Sequence, residues 1–225
     1  MNLIEYSDRE MLMMRLADAM ASELSTNLIA NDTATLAVPG GSTPGPLFDM
    51  LSDTSLHWSR VNVLLTDERR VPADHLRSNE RLLRNHLLVG KAAGANFVRL
   101  VPDGPDAGEP GADLAELIAR VTPVLPISIL LLGMGDDMHT ASLFPGSPQL
   151  EEALSTDAPL MAVDAPEGLE PRITLTASAM REAMSTHILI TGAGKRAALE
   201  KAVSLAPSEA PISLVLGNAT VHWAA

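Results

Sequence analysis

Leu12, Leu16, Met20, Leu24 and Leu28 recur at every fourth position of an otherwise mixed stretch. That spacing is one face of a long amphipathic helix. Ser7-Asp8-Arg9-Glu10 ahead of it has the form of a capping box, with Ser7 as the predicted N-cap and Glu10 reaching back to it. The Met-rich start of this helix reads as core packing, because methionine fills irregular apolar gaps. Downstream the period changes. Short apolar runs, each closed by a loop, predict strands at Thr33–Val38, Val61–Leu65, Ile127–Leu132, His187–Ile190 and Ile212–Leu216. Helical patterns fall between them at Pro46–Leu51, Asn79–Leu88, Asp113–Val121 and Lys195–Leu205. Strands alternating with helices predict an α/β fold. The expectation is one domain over residues 1–225, with a mainly parallel Rossmann-like sheet and helices on both faces. Val101–Gly111, rich in Pro, Gly and Asp, reads as a surface loop, and no internal repeat or low-complexity tract interrupts the chain.

Composition narrows this picture. The chain has 225 residues, 46% of them hydrophobic but only 3% aromatic. Its core is therefore aliphatic, which suits buried parallel strands. The formal net charge is -12, so nucleic acid and anionic membranes are unexpected partners. An anionic ligand would need a few Arg and Lys gathered against that field. There is no cysteine, which excludes disulfides, thiolate nucleophiles and Cys-based zinc sites. No apolar run approaches the roughly 20 residues that span a bilayer. The first ten residues are charged and lack the pattern of a secretory signal. A soluble, cytoplasmic protein is expected.

The chemistry-bearing residues cluster just after the predicted strands, where open α/β sheets bind their ligands. Pro39-Gly40-Gly41-Ser42-Thr43-Pro44 lies between a strand and a helix. Its glycines allow close backbone approach, and its hydroxyls and N–H groups suit an anion at a helix N-terminus. It is not a Walker A loop, and an ordinary strand-to-helix turn is the alternative. Thr66-Asp67-Glu68-Arg69-Arg70 reads either as a salt-bridged surface turn or as a place where Arg69 clamps a phosphate. Arg172, opening a further strand, and Lys195, in Gly192-Ala193-Gly194-Lys195, each offer one cation. Taken singly, each reads as a solvated surface charge.

Gly133-Met134-Gly135-Asp136-Asp137-Met138-His139 follows the most hydrophobic strand. His139 has two acids within three residues, whereas His57, His75, His86, His187 and His222 lie in contexts without such company. An imidazole titrating near pH 6.5 accepts a proton from water at neutral pH. A carboxylate two residues away would fix its tautomer. A metal site is the rival reading, but it needs about three convergent ligands and only His and Asp are at hand.

Taken together, GGSTP at 40–44, TDER at 66–69, SN at 78–79, GMGDDMHTASLFP at 133–145, PRITLT at 171–176 and GAGK at 192–195 resemble the 6-phosphogluconolactonase family in order and spacing. The likeness runs from about residue 5 to 223, and its most specific piece is His139 followed by Thr-Ala-Ser-Leu-Phe-Pro. The resemblance implies a fold similar to glucosamine-6-phosphate isomerase/deaminase. It implies hydrolysis of 6-phospho-D-glucono-1,5-lactone to 6-phosphogluconate, in the oxidative pentose phosphate pathway, with no cofactor and no metal. The implied catalytic residues are His139, as base towards water, and Asp137, orienting it. Gly40, Gly41, Ser42, Thr43, Arg69, Arg172 and Lys195 are implied to bind the substrate. The partner expected is the phosphorylated sugar lactone, met by a monomer or a homodimer.

One position departs from the family pattern, which has glycine before the histidine where this chain has Met138. If the backbone there needs a positive φ, methionine costs roughly 1 kcal/mol or more, and its side chain could narrow the pocket. Two other readings remain. A sugar-phosphate isomerase/deaminase has similar glycine loops, but its histidine is followed by an Ile-Ala-Phe-Asn-Glu-Pro type of segment. A non-catalytic sugar-phosphate sensor would bind without turnover, and such proteins usually carry a DNA-binding segment that this chain lacks before its first helix.

Overall fold

In the computed structural model, which describes residues 1–101, 114–166 and 168–225, the first helix, α1, spans Arg9–Ala30. Leu12, Leu16, Met20, Leu24 and Leu28 are all buried on one of its faces. Its cap differs from the expectation. Asp8, not Ser7, is the N-cap, and its carboxylate accepts from Met11 N at 2.7 Å. Ser7 instead donates to Asp8. A carboxylate at N-cap also interacts better with the helix dipole than a hydroxyl does.

The main sheet contains β1 (Asn2–Glu5), β2 (Ala34–Val38), β3 (Val61–Leu65), β5 (Asn96–Val98), β6 (Ile129–Leu132), β9 (Ser185–Thr191) and β10 (Thr220–Ala224). Its order is β1-β10-β9-β6-β2-β3-β5, and every pairing is parallel. Every residue of β2, β3 and β6 is buried. Successive side chains point to opposite faces, so both faces of the sheet are covered. A smaller antiparallel sheet, unforeseen in the sequence, joins β4 (Asp67–Arg69), β8 (Arg172–Leu175) and β7 (Leu160–Val163). The remaining helices are α2 (Gly45–Ser52), α3 (Asn79–His86), α4 (Leu114–Val121), α5 (Leu150–Ser155), α6 (Ala177–Arg181), α7 (Ala193–Ala202) and α8 (Ser213–Leu216). None among the described residues is long and apolar enough to cross a membrane.

The strand expected at Ile212–Leu216 is helix α8 instead. Pro211 has no N–H to give a strand ladder, and Ser213, Leu214 and Val215 then bond back three residues each. Ile212, Val215 and Leu216 are buried, a helical rather than alternating spacing. The last strand is β10, further along. Most of the expected Val101–Gly111 loop, and Asp113 of the expected Asp113–Val121 helix, lie outside the described residues.

The strand order places the binding crevice. From β2 the chain proceeds to β3 and β5 on one side, while β6, β9 and β10 lie on the other. The order reverses between β2 and β6, and at such a switch point the loops after two neighbouring strands part and leave an opening. Here those loops are the GGSTP segment after β2 and the GMGDDMH segment after β6.

Candidate active site

A cleft of about 490 Å³ opens at that switch point. Gly40, Gly41, Ser42, Thr43, Arg69, His139, Arg172 and Lys195 all line it. Five stretches far apart in the chain thus meet, as their common position after strand ends predicts. Asp137 does not line the cleft. It stands behind His139, with Oδ1 at 2.5 Å from the ring Nδ1 and 3.2 Å from the backbone N. Burial alone would raise the Asp137 carboxyl, but the facing His139 and the hydrogen bonds it donates leave it below the ordinary carboxylate range. An ionised Asp137 accepts the Nδ1 proton, so Nε2 is the nitrogen left to the cleft. Phe144 packs on the ring at 4.7 Å between centroids. Gly135 is what lets the pair sit so low, since a Cβ there would collide with both His139 and Asp137.

The turn carrying His139 has a specific backbone. Gly135 N donates to His139 O at 2.9 Å, and Met138 N to Gly135 O at 3.1 Å. This is the bonding of a three-residue hairpin loop, whose third residue adopts the left-handed region that glycine usually fills. Met138 occupies it with φ 66°. The positive φ suspected from the sequence is real. The suspected narrowing of the pocket is not, because the Met138 side chain does not line the cleft. It is partly buried and packed on the core. A left-handed L-residue costs about 1–2 kcal/mol, and fully burying a methionine returns about 1.5–3 kcal/mol. Partial burial therefore roughly offsets the strain.

Two of the cations, Arg69 and Arg172, come from the small sheet. In the β4–β8 pairing Arg69 stands directly opposite Arg172. Like charges opposite one another are unfavourable. Arg172 is only 4% exposed, and burial, then Arg69, holds its guanidinium below the usual arginine range. It donates to Glu170 O at 3.0 Å and lies 3.8 Å from the Asp67 carboxylate. Arg69 donates to Arg77 O, while its buried Nε has no partner among the described residues. Arg77 also lines the cleft and pairs with Glu170 at 2.6 Å. Lys195 reaches Asp136 of the His139 turn at 3.1 Å. Elsewhere in the lining, no protein acceptor among the described residues takes the N–H groups of Gly41, Ser42 or Thr43. Gly41 has φ 91°. Unpaired donors in a positive-φ loop that lines the same cleft as these arginines are chemically suited to an anion.

Sequence reasoning assigned no site role to several lining residues. Asn79 packs its amide against Gly40, where no Cβ would fit, and donates to Asp67 O at 2.9 Å. Asp67, also in the lining, accepts from Ser142 Oγ at 2.6 Å, tying the TDER segment to the TASLFP segment. Beneath them Glu68 is 2% exposed. It accepts from Asn79 N, Glu80 N, Arg69 N and Ser78 Oγ, and so caps α3. Burial pushes its carboxyl up despite those bonds. The Asp and Glu of TDER are thus structural acids around the arginine, not a salt-bridged surface turn. Three of the other histidines find polar partners distant in sequence. His86 lies 2.8 Å from Asp49, and His187 lies 3.2 Å from Glu23 and 3.0 Å from His222. They do have polar company, brought by the fold. No group of three or more His, Asp or Glu among the described residues could hold a metal ion.

Comparison with known proteins adds three findings. A family model described as glucosamine-6-phosphate isomerases/6-phosphogluconolactonase matches residues 7–223. The 6-phosphogluconolactonases of Rhizobium meliloti and Caulobacter vibrioides are 40% and 38% identical to this chain. Those alignments cover 93% and 97% of the chain, and 92% and 95% of the relatives. The crystal structure of a 6-phosphogluconolactonase from Shewanella baltica superposes with a TM-score of 0.93 at 36% identity, over 100% of this chain and 97% of that one.

Proposed function

The chain belongs to the family of glucosamine-6-phosphate isomerases and 6-phosphogluconolactonases, and from that premise we propose that it is a cytoplasmic hydrolase of 6-phospho-D-glucono-1,5-lactone. The observation that carries the reading is one cleft holding, together, an oriented imidazole and the opposed Arg69 and Arg172.

In this reading Arg69, Arg172 and Lys195 hold the 6-phosphate, with Gly40, Gly41, Ser42 and Thr43 closing on it from the other wall. A dianion between Arg69 and Arg172 relieves a repulsion that the folded protein otherwise carries. Such a site favours phosphorylated substrates and positions the lactone ring towards His139. His139 Nε2 then accepts a proton from a water molecule as the water oxygen attacks the lactone carbonyl carbon. Asp137 stabilises the resulting imidazolium through Nδ1. The tetrahedral oxyanion is met by backbone N–H groups of the glycine loops. On collapse the bond from carbonyl carbon to ring oxygen breaks, and the ring oxygen takes the proton back from Nε2. The product is the open-chain acid, which ionises, and its 5-hydroxyl. A lactone is already an activated ester, so positioning and one general base suffice, without a cofactor. The reaction would serve the oxidative pentose phosphate pathway.

The test is a coupled assay in which the lactone is generated in situ and its disappearance is compared with the spontaneous rate. Acceleration is expected, with no ammonia released from glucosamine 6-phosphate. A lactone decay no faster than the spontaneous one would refute the reading.

A further inference from the structure

Among the described residues, the non-glycine positions with positive φ are Met138 at 66° and Ala141 at 49°. They flank His139 on either side. Backbone strain persists only where its surroundings over-determine it, and it collects at functional sites. What over-determines Met138 can be named. Its N–H is bound to Gly135 O, its C=O accepts from Ile212 N at 3.2 Å just ahead of α8, and its side chain packs on the core. The residue is therefore anchored to a different part of the molecule from the cleft that its neighbour serves.

We propose that Met138 is a positioning residue for His139, its side chain acting as the anchor that holds the turn closed. The proposal rests on the lactonase reading above. Glycine would adopt this φ without strain and keep the backbone bonds, including the one from Ile212 N, but it would remove the side chain's packing on the core. The His139 ring packs on Phe144 and is hydrogen-bonded to Asp137 in the same turn. Without the anchor, Asp137 and His139 drift together and lose their aim at the cleft, whereas the phosphate grip, built on β4, β8, the loop after β2 and Lys195 at the start of α7, stays intact.

The consequence is a split between rate and affinity. Met138→Gly is expected to lower kcat about tenfold while KM stays within about twofold. Met138→Leu, which keeps an apolar anchor and the same left-handed φ, is expected to restore most of the rate. The proton shared by His139 Nδ1 and Asp137, followed by NMR, is expected to be observable in wild type and Met138→Leu and broadened by exchange in Met138→Gly. Wild-type kcat in Met138→Gly, or equal damage in the glycine and leucine variants, overturns the proposal. If the wild-type protein itself shows no turnover, the lactonase reading falls, and the proton signals still decide whether Met138 holds the turn.

Discussion

Two groups of histidines sit at two depths of the same sheet. His139 stands in the cleft beyond the strand ends, in a turn, with a carboxylate two residues away. His187 and His222 lie inside the sheet on neighbouring strands, directly beneath α1. A continuous chain of contacts runs from Tyr6 Oη to His222 Nδ1 at 2.8 Å, His222 Nε2 to His187 Nδ1 at 3.0 Å, and His187 Nε2 to Glu23 at 3.2 Å. Burial pushes the His222 imidazole down to about 4, helped by the charge of His187 and opposed by Glu23. Bonding to His187 keeps the Glu23 carboxyl low, and burial raises the Tyr6 phenol. The two groups use the same side chain differently. One keeps a nitrogen open to the cleft, and the other spends its nitrogens on the fold.

The comparison breaks most visibly if His139 is removed. His139→Ala is expected to lower kcat about 10²–10⁴-fold, the usual contribution of one general base, with KM and melting temperature nearly unchanged. A loss of the same size in His187→Ala, per folded molecule, would erase the distinction between the two sites.

Acid should separate them next. An imidazole whose folded pKa is about 4 and whose unfolded value is near 6.5 binds its proton more readily in the unfolded chain. The stability it contributes is complete above about pH 6.5 and is lost as pH falls towards 4, by roughly 3 kcal/mol at most. His222→Gln should flatten the slope of unfolding free energy in that window, measured by denaturant titration. Glu68 works in the opposite sense, since a raised carboxylate loses stability as pH rises. Its contribution cancels in the difference between variant and wild type. An unchanged slope would mean that His222 is not the group that titrates.

How much of this could be read from the chain follows from sequence distance. His139 and Asp137 are two residues apart in a Gly/Asp loop, so their pairing was readable before any fold was known. Glu23, His187 and His222 come from α1, β9 and β10, and nothing local marks them as partners. The four central strands announced themselves because buried parallel strands are continuous apolar runs. The edge strand β1, largely exposed, carried no such signal. The small sheet was missed for a similar reason. β4 is three residues of Asp, Glu and Arg, which become a strand only when β8 pairs with them. For that reason Arg69 and Arg172 were readable as separate cations but not as an opposed pair. The N-cap was misplaced by one residue because Ser7 and Asp8 both suit the position.

Further down in size, His187→Ala should cost stability rather than activity. Removing it leaves His222 Nε2 and Glu23 without their partner and opens a hole beneath α1. An unsatisfied buried polar group costs about 1–3 kcal/mol. A lower urea midpoint with unchanged kcat per folded molecule is the expected result, and lowered kcat at full stability would argue against it.

The smallest effect belongs to Lys195, where the comparison is sharpest. Its ion pair with Asp136 joins the start of α7 to the His139 turn at 3.1 Å, yet Asp136 is 84% exposed. Exposed pairs of this kind contribute about 0–1 kcal/mol to stability, so Lys195→Ala should leave the melting temperature almost where it was. Its cation also faces the cleft beside the arginines. Loss of one charge there should raise KM for the phosphorylated lactone about tenfold, with kcat little changed. The converse variant, Asp136→Asn, frees Lys195 for the substrate, and KM should stay level or fall. A higher KM in Asp136→Asn would mean that the ion pair, not the lysine's charge, is what the cleft requires. Lys195 would then belong with the buried histidines, as a residue that serves function only by holding structure.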